Sequence, residues 1–159
     1  MSWLRALMLL ALIVWIGGII FFAFVLAPTV FAVLPTHELA GNVVNHSLRK
    51  LHWMGLVSGV VFLVCSLLYN RVRHAQLRAF SAAHVLVVIM LVLTLISQYA
   101  ITPRMHALRG EMGVIDNVSA SDGRRIEFNR LHERSTRLEG GVFFLGLIVV
   151  VLTARRFGN

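Results

Sequence analysis

The stretch "EFNRLHERSTRLEGG", residues 127–141, carries six charged side chains, an asparagine and a histidine immediately before the last apolar run of the chain. On a helix, His132, Ser135 and Glu139 stand at i, i+3 and i+7 and share one face, with Phe128 a turn before them and Asn129 on the border. A glutamate entering lipid is costly unless it is paired or wet. Two other segments are as polar where apolar runs begin or end. "HSLRKLHWMG" supplies His46, Arg49, Lys50 and His52, and the exit of the third run supplies Gln98, Tyr99, Arg104, His106 and Arg109.

Neutral imidazole is a ligand for haem iron, copper and zinc. His52 and His132 come from different helices at similar depth, so they are the candidate ligands for a haem b or a transition metal. Arg49, Arg104, Asn129, Ser135 and Glu139 are the candidate cofactor-binding groups, with the arginines suited to haem propionates. The competing role is structural: interfacial His and Arg contact headgroups, and Glu139 pairs with Arg104 or Arg49 to lock the bundle. The sequence has no H-E-x-x-H or C-x-x-C motif to favour a metal. It also shows no nucleophile–base pair, so no catalytic residue is assigned. His84 lies a turn inside the third run and is expected to make a polar contact with a neighbouring helix.

The elements that position these groups are membrane helices. Of 159 residues, 58% are hydrophobic and 14% charged, and mean hydropathy is +0.80. A soluble domain of this length could not bury that much apolar surface. Four apolar runs, near residues 6–27, 51–69, 80–101 and 140–154, predict an all-α four-helix membrane bundle in a single domain, residues 1–159. The first run has no small-residue cleavage site and continues to about Leu34, so it is read as a retained membrane helix. The fourth run is shorter than the roughly twenty residues a crossing needs, so its helix must bring charged residues into the interface. Helices 3 and 4 are expected to extend beyond the membrane as a hairpin, broken at "GVIDNVSASDG" with Ser119 or Ser121 as N-cap. "PTHELAGNVVNHSLRK" reads as a short interfacial helix capped by Thr36, with Leu39, Val43 and Val44 on its apolar face. The G-x-x-x-G of Gly55 and Gly59 marks close helix packing, and Cys65 reads as a packed core thiol.

The net charge of +8 does not imply nucleic acid, because the basic residues flank apolar runs, where they meet headgroups and fix orientation. With four spans both termini share one side, here the first side. It holds Arg5, Arg71, Arg73, Arg78, Arg155 and Arg156 and no acid; the other nine cations and all seven acids lie on the second side. The rule weighs short loops most, and the first-side loop is short and purely basic.

"WIGGIIFFAFVLAPTVFAVLP", "LRKLHWMG", "ITPRMHALR" and "FNRLHERS" together resemble a bacterial domain-of-unknown-function family related to eukaryotic transmembrane protein 205. The motif positions correspond to Pro28, Leu34, Pro35, His37, His52, Pro103, Arg104, Phe128, His132 and Ser135. "WIGG" is also similar to copper-resistance D-type proteins and small haem-dependent protoporphyrinogen oxidases, which implies a haem or metal site. The expected function is therefore haem or transition-metal binding at a His/Arg site near the non-cytoplasmic face of a bacterial-type inner membrane. A transporter or efflux component for a metal or small molecule is the second expectation. The third is a cofactor-free structural protein that docks a membrane protein partner or a second copy. The mostly apolar middles of the spans, with Ser58, Ser66, Thr94 and Ser97 as main exceptions, argue against a water-filled pore in a monomer. The charge distribution makes one direct prediction: a reporter fused after Asn159 should be active in the cytoplasm, and activity only outside it would reverse the orientation.

Overall fold

The computed structural model describes residues 2–74 and 81–158. Every span expected from the sequence is helical. α1 (Ser2–Phe21) runs through a π-helical turn (Phe22–Leu26) into α2 (Ala27–Val33). α3 (His37–His74) is followed by α4 (Ala82–Ile96), a second π-helical turn (Ser97–Ile101) and α5 (Thr102–Met112). A 3₁₀ turn (Ile115–Asn117) leads to α6 (Gly123–Gly158). Among the described residues, four continuous helical stretches are long and apolar enough to cross a membrane: Ser2–Val33, His37–Val72, Ala82–Met112 and Gly123–Arg156. The expected start of the third span at Phe80, and the first-side loop arginine Arg78, lie outside the described residues.

At 1.5 Å per residue, α3 and α6 are each more than about 50 Å long, against a hydrocarbon core of roughly 30 Å. They must project from the membrane, and α5 projects beside α6, as the short fourth apolar run requires. Two sequence expectations change here. Residues 35–50 do not form a separate interfacial helix; from His37 onward they are the first turns of α3. No glycine or proline separates Asn42 from Leu51, so nothing breaks the backbone hydrogen-bond ladder. Thr36 does cap it, with Oγ1 accepting from the Leu39 N–H at 3.2 Å. The cap of α6 is Asp122 rather than Ser119 or Ser121. Its Oδ1 accepts from the Arg124 N–H at 2.8 Å, and Oδ2 takes Arg124 Nη2 at 2.8 Å. The Arg124 side chain and amide together hold the Asp122 carboxyl down to about 2.

Each π-helical turn immediately precedes a proline-bearing helix start. Pro28 and Pro103 lack an N–H, and their rings would strike the carbonyl four residues back. The wider turn relieves this: Ala27 N–H reaches Phe22 O, and Thr102 N–H reaches Ser97 O. Thr102 Oγ1 donates to the same Ser97 carbonyl at 2.9 Å. The proline at 103 is thus accommodated within a continuous stretch, Ala82–Met112.

The core is built where α1 packs on α3, α3 on α4, and α4 on α6. Trp15, 2% exposed, is part of it. It lies against Gly55 and Gly59: a Cβ at Gly59 would sit 2.7 Å from both the Trp15 ring and Leu91, and one at Gly55 would overlap the indole more closely. Cys65 is buried in the same core, as a free thiol. At the first-side end, Arg5 Nη2 donates to Tyr69 OH at 2.6 Å and Arg156 Nη1 donates to Ser66 Oγ at 3.1 Å, tying both terminal helices to α3. The glycines generate a prediction. Gly55→Ala and Gly59→Ala should each destabilise the detergent-solubilised protein by about 1–3 kcal/mol through overpacking. Gly140→Ala, whose Cβ would meet nothing within 4 Å, should not; thermal unfolding measures the difference.

Candidate functional site

The second-side half of the bundle contains a cavity of about 790 Å³. It is bounded by the α1–α2 junction, the projecting half of α3, α5, the Gly113–Ile115 turn and α6. The geometry follows from how α2 packs. Beyond the first π-helical turn, α2 lies against α3 and makes no comparable packing with α6, although α1 below it does. Phe24 and Phe144 both line the cavity, yet they are 72% and 65% exposed. The cavity therefore reaches the bundle surface between the first π-helical turn and α6, in stretches apolar enough to span a membrane. Gly140 lies on its wall with open space where a side chain would project.

Three polar groups of α6 expected to share a face, His132, Ser135 and Glu139, all line this cavity. Ser135 is buried and its Oγ is 3.4 Å from Ser97 Oγ. Glu139 does not pair with Arg49 or Arg104. Its Oε1 is hydrogen-bonded to Nε2 of His52, which is 2% exposed. The other ring nitrogen, Nδ1, donates to Gln98 Oε1 at 2.9 Å. Gln98 is directed inward by the second π-helical turn, where Ser97, Gln98 and Ile101 are buried and Tyr99 is 60% exposed. With Nδ1–H given to a carbonyl oxygen, the contact between Nε2 and the carboxylate holds one proton. The pair is net neutral whichever partner carries that proton.

The remaining expected site residues fall elsewhere. Arg104 faces outward and makes a two-point pair with Glu127, Nε–Oε1 2.8 Å and Nη2–Oε2 2.9 Å. Arg49 and Asn129 are exposed and not on the cavity wall. The helix geometry that joins His132 to Glu139 also separates it from His52: His132 is on the wall, and His52 stands behind Glu139. Both nitrogens of His52 are engaged, and among the described residues no group of three or more His, Cys, Asp or Glu converges for a metal ion. His46 and His106 form an edge-on pair with ring centroids 6.4 Å apart, His46 donating from Nδ1 to Asn42 O and His106 Nε2 accepting from Asn45. His84 is buried in the bundle, its Nδ1 is hydrogen-bonded to Ser81 at the start of its own helix, and its Nε2 has no hydrogen-bond partner among the described residues.

Arg109 is the cation on the cavity wall, at its outer end. Its guanidinium crosses Gly41, donates to Asn42 Oδ1 at 3.0 Å and lies 5.6 Å from the Phe128 ring centroid. Sequence reasoning singled out Gln98 and Arg109 but not their partners. The available signal was the pair of prolines, Pro28 and Pro103, just past the ends of apolar runs, since π-helical turns frequently mark functional sites.

The buried pair generates a stability prediction. His52→Ala leaves the Glu139 carboxylate unpaired at the membrane edge and should cost about 3–5 kcal/mol. In a double-mutant cycle, His52→Ala with Glu139→Gln should cost clearly less than the two single changes summed. Strict additivity in thermal unfolding would show that the two side chains are not coupled.

No curated protein and no solved structure matches the chain. Residues 10–113 match the family described as domain of unknown function DUF4149. The match spans α1 through α5 and ends before α6, so the helix that carries His132, Ser135 and Glu139 lies beyond it. It covers well over half of the 159 residues, and the chain belongs to the DUF4149 family.

Proposed function

We propose that this membrane protein binds an apolar or amphipathic small molecule that enters the cavity from the bilayer. The observation that carries this is the opening between the first π-helical turn and α6, where the lining residues Phe24 and Phe144 are also exposed on the outside of apolar spans. Sites for one small molecule are typically about 300–1,000 Å³, mostly apolar, with a few convergent polar groups. Here the apolar wall is aromatic and aliphatic, and the polar groups include Ser135, His132, Glu139 and Arg109. With both termini in the cytoplasm, as the basic first side favours, the cavity lies at the outer interface.

A second reading keeps the haem or transition metal that the likeness to copper-resistance D-type and haem-dependent oxidase proteins implies. It is favoured by His132 on the cavity wall. In this geometry His132 would be the histidine ligand and His52 would not, because ligation through His52 would first displace Gln98 or Glu139.

One preparation tests both readings. A tryptophan reporter placed at Leu48, on the cavity wall, should be quenched saturably by a nitroxide-labelled single-chain amphiphile in nanodiscs. Gly140→Leu, which fills the open space on the wall without adding a fluorophore, should remove the saturable part. Quenching that scales only with probe in the lipid would overturn the first reading. A Soret band or stoichiometric metal, lost in His132→Ala, would establish the second.

A further inference from the structure

We propose that the cavity takes a lipophilic cation, and that the cation binds Glu139 in exchange for the proton shared by the His52–Glu139 pair. This rests on the reading of the cavity as a ligand site and names its ligand class. Two charged groups at the outer end of the wall, Glu38 and Arg109, lie near the projecting start of α3. Arg109 is held there by Asn42 and the Phe128 ring. Glu139 lies at the other end, beside Gly140 and Phe143, where α6 enters the apolar layer. It is 18% exposed toward the cavity, while His52 behind it is closed off. A ligand that enters from lipid and reaches the inner end of the cavity meets a carboxylate there, among phenylalanine rings whose faces also attract cations.

The charge balance specifies the exchange. Before binding, Gln98 Oε1 holds the Nδ1–H of His52, and one further proton lies between Nε2 and Glu139, for a net charge of zero. When a monovalent cation engages the carboxylate, that proton leaves to bulk water. His52 remains neutral with its Nδ1–H, and Glu139 is compensated by the ligand, again for a net charge of zero. No uncompensated charge is created in the low-dielectric site, and retaining the proton would leave one. Gln98 fixes the tautomer that makes this possible, because an Nε2–H imidazole would pair with the carboxylate without the extra proton. The other titratable groups facing the cavity are His132 on α6 and His37 on α3, and Arg109 and Glu38 complete the charged set.

The test uses the full chain in nanodiscs, weakly buffered, with lipid-only discs subtracted. Tetraphenylphosphonium is the probe and tetraphenylborate its control of the same shape and opposite charge. The cation should bind saturably and release about one proton per site. Its affinity should rise up to tenfold per pH unit while the pair is protonated. Glu139→Gln should abolish both the preference for the cation and the proton release. Glu139→Asp, which keeps the charge if the neutral variant does not fold, should retain release. Cation binding without proton release overturns the exchange. Saturable binding of tetraphenylborate alone overturns the inference while leaving the cavity reading intact. Binding of neither ion by a protein that folds normally overturns the inference, and the amphiphile quenching decides the cavity reading separately.

Discussion

A carboxylate where α6 enters lipid needs a partner, since placing it against hydrocarbon costs on the order of a few kcal/mol even on insertion scales. His52 is that partner, and much of the second-side architecture is arranged around the contact. The imidazole must stand at the depth of Glu139, and it reaches across the bundle from α3 to α6, both of which pack on α1 and α4. Trp15 against Gly55 and Gly59 sets the approach of α1 to α3 just below His52. The imidazole must also present Nε2 and not Nδ1, so an acceptor must reach it from a third helix. Gln98 does so at 2.9 Å. Three helices therefore meet at one ring, and moving any one of them leaves a buried polar group unsatisfied.

The two π-helical turns allow helices with internal prolines to run on. Each absorbs a proline ring by widening the backbone, and each changes which residues face inward. At the second turn this places Ser97, Gln98 and Ile101 inside together. At the first it marks the point after which α2 follows α3 and leaves α6, opening the cavity wall to lipid. A backbone accommodation is thus coupled to both chemical features of the site, the tautomer lock and the lateral opening.

The charged residues on the second side divide by depth. Outside the membrane they neutralise one another on the surface: Arg104 with Glu127, Arg124 with Asp122, and Arg137 with Glu133. Exposed pairs of this kind contribute little stability each. They let a projecting hairpin of α5 and α6 carry many charges and remain soluble. At the membrane edge the pairing changes to imidazole with carboxylate, which balances charge through a proton rather than a fixed cation. That difference separates a structural ion pair from one that can exchange its proton for another positive charge.

The sequence by itself determined the class of solvent, the four spans, the projection of the last helices, the packing role of Gly55 and Gly59, and the shared face of His132, Ser135 and Glu139. All of these follow from periodicity and length, which act along one helix. Thr36 as a cap was legible for the same reason, because a cap is a local hydrogen bond. What the tertiary structure decided is every choice of partner between helices. From the sequence Glu139 was expected to meet Arg49 or Arg104; rotation of α3 about its axis and the inward turn at Gln98 selected His52 instead. The cavity was not legible either, since its walls come from α2, α3, α5 and α6, and its opening depends on α2 packing against α3 and leaving α6. A sequence records which face of a helix is polar, whereas the angle at which two helices pass is set only when all four have packed.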